Sequence, residues 1–332
     1  MMEFLFRIRD LKKHYPVSTG LFHTGGRFLR AVDGVDMEIA LKETLGLVGE
    51  SGCGKTTTGR LMLNLETATH GQILYKGKDL TKMTKSEFRI FHAEVSAVFQ
   101  DPYESLNPRK RVCDILSTPY AVHDRRVPRQ EIKKRVIELL DIVGLQPPEL
   151  FMNRYPHELS GGQRQRICIA RAIALRPKFV VADEPVSSLD VSIRGQIISL
   201  FSDLQTKYGL TLLFISHDLA VVRTICRRLA VMYLGRIVEE GPTDRVLDRS
   251  LHPYTRSLIA ASPIPDPRKR HYNRPSLIGE VPSAIFPPAG CSFNPRCPER
   301  KDICTRFRPE LVEVEPGHKV ACCLVDQKTE LR

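Results

Sequence analysis

Eight consecutive residues in the first fifth of the chain have the composition of a loop that binds phosphate. They read Gly49-Glu50-Ser51-Gly52-Cys53-Gly54-Lys55-Thr56, which fits the pattern of glycine, four variable residues, glycine, lysine, and serine or threonine. Glycines let the backbone curl so that successive N–H groups face an anion, and a following helix adds positive potential. Lys55 would reach the β- and γ-phosphates of a nucleotide, and the Thr56 hydroxyl would coordinate Mg²⁺. The alternative is a tight glycine turn with an unrelated lysine.

Two adjacent carboxylates form a second group that could do chemistry. Asp183 and Glu184 directly follow the apolar run 179–182. Ligands of α/β sheets bind at the carboxyl ends of strands, so Asp183 suits the Mg²⁺ shell and Glu184 could polarise a water that attacks the γ-phosphate. Alone, such a pair is more often a surface cap. Together with the phosphate loop, it predicts hydrolysis of a nucleoside triphosphate.

A third motif lies between these two, at Leu159-Ser160-Gly161-Gly162-Gln163-Arg164-Gln165-Arg166. It precedes the helical stretch 167–175, which Ser160 can cap, and its two glycines expose backbone N–H groups. An ordinary helix cap with a flexible entry is the alternative. The order of the motifs favours a second anion-binding site, because 104 residues separate Lys55 from Ser160 and the carboxylate pair follows.

Alternating strands and helices are predicted around these motifs. Residues 30–48 alternate apolar and polar side chains and end in an apolar run, which predicts a strand entering the glycine-rich turn. The other predicted elements are helices 56–65, 129–143 and 191–208, strands 179–182 and 210–215, and a hairpin over 230–241 that turns at Leu234-Gly235. Strands separated by helices favour an α/β domain with a largely parallel sheet.

The bulk properties favour a soluble protein beside a membrane. No run approaches the ~18 apolar residues that span a bilayer, and the first residues lack the apolar segment and cleavage site of a secretory signal. We therefore expect a cytoplasmic protein that reaches the membrane through partners. The formal net charge is +12, but the basic residues are scattered and the densest cluster, Arg268-Lys269-Arg270, is short. This distribution predicts a basic surface near the inner leaflet and no nucleic acid partner.

The three motifs, in this order, resemble those of the ABC transporter ATPases, for which Leu-Ser-Gly-Gly-Gln is the defining signature. The resemblance covers roughly residues 4–250. It implies an α/β fold of the P-loop NTPase type: an ABC ATPase domain with a RecA-like core, an antiparallel β subdomain and a helical signature subdomain. A small C-terminal cysteine-bearing extension would follow.

The resemblance also implies roles for single residues. Gln100 matches the Q-loop glutamine, which touches Mg²⁺ and senses the transmembrane partner, and His217 matches the switch histidine at the γ-phosphate. Tyr15 resembles the aromatic residue that stacks on adenine, with Phe22 and Phe28 as competitors. The implied catalytic residues are Lys55, Glu184 and His217, and the implied Mg²⁺ ligands are Thr56, Gln100 and Asp183. The implied ATP contacts are Tyr15, Gly49, Ser51, Gly52, Cys53, Gly54, Lys55, Thr56, Thr57 and Gln100.

In this family, two ATPase subunits share their nucleotide sites. The signature residues Ser160, Gly161, Gly162 and Gln163 are expected to contact ATP held by the partner, and Asp190 is expected to be the D-loop residue at the seam. ATP would close a head-to-tail dimer and hydrolysis would reopen it. Because the whole catalytic set is present, we expect a competent site, against the alternative of a non-hydrolysing regulatory subunit.

The composition of the chain changes after about residue 250: 12 of the 23 prolines lie between Pro253 and Pro316. This predicts a loop-rich extension over 251–332, after an ATPase domain at 4–250. The stretches 106–109, 252–255 and 290–298 resemble ATPases of oligopeptide and dipeptide importers. The resemblance implies two transmembrane permease subunits, a paralogous ATPase subunit and an extracytoplasmic solute-binding protein, at the cytoplasmic face of a bacterial inner membrane. Related importers carry nickel, opines or other small solutes, and pairing with a second copy is the alternative to the paralogue.

Five of the nine cysteines lie in the last 42 residues. Cys291, Cys297, Cys304 and Cys322 are separated by five, six and seventeen residues, without the close pairs that are usual in zinc sites. Four thiolates on a loop-rich scaffold suit a [4Fe–4S] cluster, which the family extension is known to carry. Zinc and free thiols are the alternatives, and Cys323 is the alternative to Cys322.

A soluble ABC ATPase acting on DNA or the ribosome is the rival from another class, and the net charge would suit it. DNA-repair members have long coiled coils between the two halves of the site, whereas the 104 residues after Lys55 have no sustained heptads. Ribosome-acting members usually have two cassettes, whereas this chain has one. The sequence therefore favours the importer ATPase.

Overall fold

The computed structural model describes residues 3–17, 27–123, 127–262 and 279–325. Phe22 and the basic cluster 268–270 lie outside these residues. The first elements, in chain order, are β1 (Phe4–Val17), β2 (Arg27–Ala40), β3 (Thr44–Val48), α1 (Lys55–Met62), β4 (His70–Tyr75), β5 (Lys78–Asp79), α2 (Lys85–Glu94), β6 (Val95–Val98), α3 (Pro102–Ser105), α4 (Val112–His123), α5 (Arg129–Ile142) and α6 (Glu149–Met152).

The remaining described elements begin with the helix that follows the signature motif. They are α7 (Gly161–Ile173), β7 (Phe179–Asp183), α8 (Val191–Tyr208), β8 (Thr211–Ile215), α9 (Leu219–Ile225), β9 (Arg228–Tyr233), β10 (Arg236–Pro242), α10 (Thr243–Asp248), α11 (Pro253–Ala261), α12 (Ile303–Arg306), β11 (Val312–Glu315) and β12 (His318–Val320). Among the described residues, no helix has both the length and the hydropathy to cross a bilayer.

The chain forms two compact units. The signature unit comprises mainly Thr81–Phe214, with the short segment Ala40–Glu43. The P-loop unit comprises Phe4–Ile39, Thr44–Leu80 and the residues from Ile215 onward. The C-terminal extension thus belongs to the same unit as the phosphate loop, and the division of the chain at residue 250 stays a prediction.

The P-loop unit contains an antiparallel sheet with the strand order β2-β1-β4-β5. Phe6 pairs with Tyr75 and Ile8 pairs with Ile73, and all four side chains are buried. Such cross-strand apolar pairs stabilise a sheet that has one covered face.

The other strands of this unit lie in the order β11-β12-β10-β9-β3. β3 pairs in parallel with β9, and all five of its residues are buried, so the loop that follows starts from a rigid strand. β9 and β10 form the hairpin predicted over 230–241. Its two turn residues, Leu234 and Gly235, have φ of 43° and 75°, as a two-residue hairpin turn with both central residues at positive φ requires.

A buried carboxylate in β10 fastens the extension to the rest of the P-loop unit. Glu239 is 0% exposed, and it accepts hydrogen bonds from the N–H groups of Leu251 and His252 at 2.8 and 3.1 Å. The ring Nε2 of His318, in β12, lies 2.8 Å from the same carboxylate. A buried carboxylate is costly unless it is hydrogen-bonded. These three hydrogen bonds therefore attach the extension to β10 at Glu239.

The signature unit contains strands in the order β8-β7-β6, with β6 and β7 parallel. Helices α4, α5 and α7 pack together, and Leu116, Val136, Leu140 and Ile167 are each 0% exposed. Helix α5 ends before Gly144, whose φ is 70°, so this glycine stops the helix as its position predicted.

Three predicted boundaries differ clearly from the structure. Helix α7, expected over 167–175, begins at Gly161, directly after its cap, and ends at Ile173. The single strand expected over 30–48 is two strands, because the chain turns at Leu41–Glu43, where Lys42 has a φ of 61°. The alternation of apolar residues continues through this turn and therefore does not reveal it. Helix α1 ends at Met62 instead of residue 65, since Asn64 has a φ of 53°.

Candidate nucleotide site

The phosphate loop connects β3 to α1, and two of its glycines have no room for a side chain. A Cβ on Gly49 would lie 2.2 Å from the carbonyl oxygen of Met232, and one on Gly54 would lie 2.1 Å from that of Ala31. Their φ angles, 152° and 108°, are also ones that L residues rarely adopt. The strands β2 and β9 therefore hold this loop in one curled path, and only glycine fits at both positions.

Lys55 is buried at the start of α1, and its ammonium lies against the loop itself. Nζ donates to the carbonyl oxygens of Gly49 and Glu50 at 2.8 and 2.9 Å. Thr56 and Thr57 follow in the first turn of α1. Burial raises the pKa of the Cys53 thiol, against the opposing effect of Lys55, so Cys53 is a neutral packing residue at neutral pH.

Tyr15, at the end of β1, lies beside α1. Its hydroxyl donates to the Glu66 carboxylate and interacts with Thr57. Burial and the nearby Glu66 raise the pKa of Tyr15, so the phenol stays neutral. Phe28, its described competitor, is 46% exposed. The choice of Tyr15 as the adenine-stacking residue stays a prediction.

His217 also belongs to the P-loop unit; it lies two residues after the end of β8, and its side chain is exposed. Ser216, before it, donates its backbone N–H to Leu47 in β3 at 3.3 Å. This contact fixes the backbone from which His217 projects. Its role as switch histidine stays a prediction.

In the signature unit, the structure brings Gln100 and Glu184 together. Gln100 Nε2 donates to Glu184 Oε2 at 3.0 Å. Glu184 has a φ of 46°, an uncommon backbone for a residue with a side chain, of the kind that concentrates at functional sites. Its carbonyl accepts hydrogen bonds from the N–H and hydroxyl of Ser187. Asp183, the last residue of β7, is 5% exposed.

The signature motif forms a complete cap on α7. Ser160 Oγ accepts from the Gln163 N–H at 3.3 Å, and Gln163 Oε1 accepts from the Ser160 N–H at 3.0 Å, which is the reciprocal capping box. Gly161 is half-buried, and a Cβ on Gly162 would lie 2.7 Å from Ile193 Cγ2. The motif therefore packs on the start of α8, where Asp190 caps the helix by accepting from the Ile193 N–H at 3.0 Å.

Two arginines of α7 have contacts that sequence reasoning missed. The Arg164 guanidinium lies 3.5 Å from the ring centre of Tyr103 and donates to its hydroxyl, and Arg171 donates to the carbonyl of Ser105. Both partners are in α3, directly after Gln100. The signature helix and the Q-loop segment are thus joined inside the signature unit. In the sequence, the only indication of these contacts is the aromatic residue Tyr103, three positions after Gln100.

The cysteines of the extension lie near one another without forming a metal site. Cys291 donates its backbone N–H to the Cys304 carbonyl at 2.8 Å. Burial, and then the thiols of Cys322, Cys304 and Cys297, raise the pKa of Cys291 to about 11. Nowhere in the described ranges is a group of three or more His, Cys, Asp or Glu side chains placed to hold a metal ion. Cys323 Sγ donates to the Phe307 carbonyl at 3.7 Å. Burial, and then the thiols of Cys304, Cys291 and Cys322, raise the pKa of Cys323 as well, so the choice between Cys322 and Cys323 stays a prediction.

Comparisons with known proteins agree with these observations. A family profile described as "ABC transporter" matches residues 32–187, and one described as "Oligopeptide/dipeptide transporter, C-terminal region" matches residues 238–304. The oligopeptide transport ATP-binding protein AppF of Bacillus subtilis is 48% identical over 97% of this chain and 98% of its own. The dipeptide transport ATP-binding protein DppF of Escherichia coli is 45% identical, over 97% and 95%.

Solved structures confirm the fold class. The ATP-binding cassette MJ0796, a dimer with ADP and Pi, is 27% identical over 72% of this chain and 98% of its own, with a TM-score of 0.64. The Clostridium perfringens protein cbiO1, part of the ABC transporter complex cbiONQ, is 26% identical over 74% and 92%, with a TM-score of 0.63. The chain therefore belongs to the ABC transporter ATP-binding proteins, in the oligopeptide/dipeptide branch of that family.

Proposed function

We propose that this chain hydrolyses ATP to power an importer of dipeptides and oligopeptides. The observation that carries the proposal is the phosphate loop between β3 and α1. Lys55, the first residue of α1, is hydrogen-bonded to the carbonyl oxygens of this loop. The peptide assignment is supported by the curated relatives, whose names describe oligopeptide or dipeptide transport and whose whole length this chain nearly covers.

Lys55 would be the first group to engage the nucleotide. Its ammonium would exchange the carbonyls of Gly49 and Glu50 for phosphate oxygens, which are charged acceptors and bind more strongly. The N-terminus of α1 would add N–H groups directed at the same phosphates. The resemblance assigns Mg²⁺ to Thr56, Gln100 and Asp183, whose side chains carry the oxygen atoms that this hard cation prefers. The ion would neutralise phosphate charge.

Glu184 would then act on the attacking water. Its carboxylate would accept a proton as the water approaches the γ-phosphate, and the Gln100 amide that donates to Oε2 would keep the carboxylate oriented. His217 would contact the γ-phosphate. Ser160 and its motif would contact ATP held by a second ATPase subunit, so that the bound nucleotide closes the dimer.

The proposed partners follow from the importer assignment. They are two transmembrane permease subunits, a paralogous ATPase and an extracytoplasmic solute-binding protein, with this chain peripheral at the cytoplasmic face of the inner membrane. Solute specificity would lie in the membrane and binding-protein partners.

Reconstituted uptake tests the proposal. Vesicles that contain the assembled complex should accumulate a labelled dipeptide when Mg²⁺ and ATP are supplied, and a complex with Lys55→Ala should not. Lys85→Ala, at an exposed position in α2, is the control and should transport normally. Uptake of nickel or an opine without peptide uptake would contradict the peptide assignment alone. Purification with ribosomes or DNA and no membrane subunit would contradict the importer assignment.

We further propose that Cys291, Cys297, Cys304 and Cys322 bind a [4Fe–4S] cluster. The proposal is supported by the proximity of these thiols: after burial, those of Cys322, Cys304 and Cys297 raise the pKa of Cys291, and those of Cys322 and Cys304 raise the pKa of Cys297. As placed, the side chains do not fit a metal site, so cluster binding requires their rearrangement. Anaerobically purified complex should contain about four iron and four sulfide per chain, and Cys291→Ser should lose both. Zinc in place of iron, or full alkylation of metal-free protein, would contradict the cluster.

A further inference from the structure

A carboxylate stands in the phosphate loop itself. Glu50 is the second residue of the loop, and its side chain is 22% exposed. A negative charge at this position would repel the phosphates that the loop is built to bind, because partly buried charges are only weakly screened. It would also compete with them for the Lys55 ammonium, which already touches the Glu50 carbonyl. The loop therefore needs a counter-charge.

Arg296, from the C-terminal extension, supplies that charge. Its Nη1 lies 2.7 Å from Glu50 Oε2, and its Nη2 lies 3.0 Å from Glu50 Oε1. The side chain of Arg296 is only 4% exposed. Two parallel charge-assisted hydrogen bonds are both the strongest and the most directional contact between a guanidinium and a carboxylate. Hydrogen bonding to Glu50 raises the pKa of Arg296 further above its usual value, so the guanidinium stays charged.

The backbone of Glu50 is held as well. Its N–H donates to the Tyr254 hydroxyl at 2.9 Å, and its carbonyl accepts from Lys55. Both Tyr254 and Arg296 come from the part of the chain after residue 250. The extension thus binds Glu50, in the first half of the phosphate loop, through both its backbone N–H and its carboxylate.

An aromatic cluster fixes these two contacts in place. The rings of Tyr233 and Tyr254 are 4.6 Å apart, and Phe293 packs on both of them at 5.3 and 5.4 Å. The Tyr233 hydroxyl also accepts from Arg296 at 3.4 Å. Because Tyr254 and Phe293 are almost fully buried, Arg296 has little freedom to leave Glu50.

We propose that Arg296 is a positioning residue for nucleotide binding. It neutralises the Glu50 carboxylate and keeps it away from Lys55, so that the lysine is available to the phosphates. The C-terminal extension therefore sets the affinity of the phosphate loop for ATP, although no residue of it needs to touch the nucleotide.

Arg296→Ala in the assembled complex tests this role. The dissociation constant of Mg²⁺–ATP should rise about tenfold, the size expected when one charged group near another loses its counter-ion. The loss should be smaller for ADP, which carries less charge. KM for ATP should rise by a similar factor while kcat changes little, because the catalytic residues are untouched. Arg300→Ala, at an exposed position of the same extension, is the matched control and should bind as the wild type does.

A second substitution separates charge from structure. If Arg296 acts by neutralising Glu50, then adding Glu50→Gln to Arg296→Ala should restore most of the lost affinity. Arg296→Lys keeps the charge but cannot form two parallel hydrogen bonds, so its affinity for Mg²⁺–ATP should fall only a few-fold.

Two outcomes would overturn the proposal. One is that Arg296→Ala and the double variant bind ATP equally weakly while both melt at the wild-type temperature. The other is unchanged ATP binding by Arg296→Ala. If Arg296→Ala fails to fold, Arg296→Gln, which keeps a polar side chain without the charge, takes its place, and wild-type ATP binding by Arg296→Gln would overturn the proposal. Wild-type protein that binds no ATP would instead contradict the proposed function.

Discussion

The Glu184→Gln protein is expected to bind Mg²⁺–ATP with nearly wild-type affinity and to hydrolyse it about 10²–10⁴-fold more slowly, the usual contribution of a general base. The amide has almost the shape of the carboxylate, and its oxygen can still accept from Gln100 Nε2. It cannot take a proton from water. Single-turnover hydrolysis in the assembled complex measures the rate, and retained nucleotide on a closed dimer measures the trapped state.

The control for this substitution is Glu149→Gln, at an exposed position of α6 in the same unit, which should hydrolyse ATP at the wild-type rate. Gln100→Ala should have an intermediate effect, because the carboxylate can still accept a proton but loses the donor that orients it. Undiminished hydrolysis by Glu184→Gln would remove Glu184 from the role of base.

The largest loss of stability is expected from Glu239→Ala. This change leaves three donors without their acceptor: the buried N–H of His252, the buried ring of His318 and the part-buried N–H of Leu251. A buried hydrogen-bonding group left unpaired costs about 1–3 kcal/mol, and two of these donors are fully buried, so we expect the free energy of unfolding to fall by roughly 3 kcal/mol. The midpoint of urea unfolding, followed by tyrosine fluorescence, measures it.

Glu310→Ala provides the comparison, since that carboxylate is exposed in the same extension and should change stability by less than about 0.5 kcal/mol. The stability of the Glu239→Gln protein should lie between those of the two alanine variants, because the amide has one accepting oxygen where the carboxylate has two. A Glu239→Ala protein as stable as the Glu310→Ala protein would show that the extension is held by other contacts.

Local patterns predicted the parts of this molecule whose causes are local. The cap on α7 follows from Ser160 and Gln163, which are three residues apart, and α8 has the predicted bounds. The hairpin at Leu234-Gly235 is equally local. The turn at Lys42 could not be predicted because the residue has a positive φ there, which lysine rarely adopts. Nothing in the alternation of side chains marks such a position.

The pairing of Glu50 with Arg296 shows why contacts between distant residues could not be predicted from one sequence. The two residues are 246 positions apart, and each alone looks like an ordinary surface charge. Only the packed aromatic cluster around Tyr254 makes them neighbours. The same holds for the contact between Arg164 and Tyr103. A tyrosine close to Gln100 in the sequence does not indicate which residue its ring will contact.

The pairing of β12 with β10 has a practical consequence for shortened versions of this protein. Glu239 and Glu240 of β10 lie opposite Val320 and Lys319 of β12. A chain ended near residue 250 would leave the outer side of β10 as an unprotected sheet edge, able to recruit the same edge of another molecule. The family profile of the extension, at 238–304, begins within β10 and stops before β12, so a fragment cut at its borders would divide a single sheet. Aggregation of such fragments would reflect an open edge and need not mean that the ATPase part is misfolded.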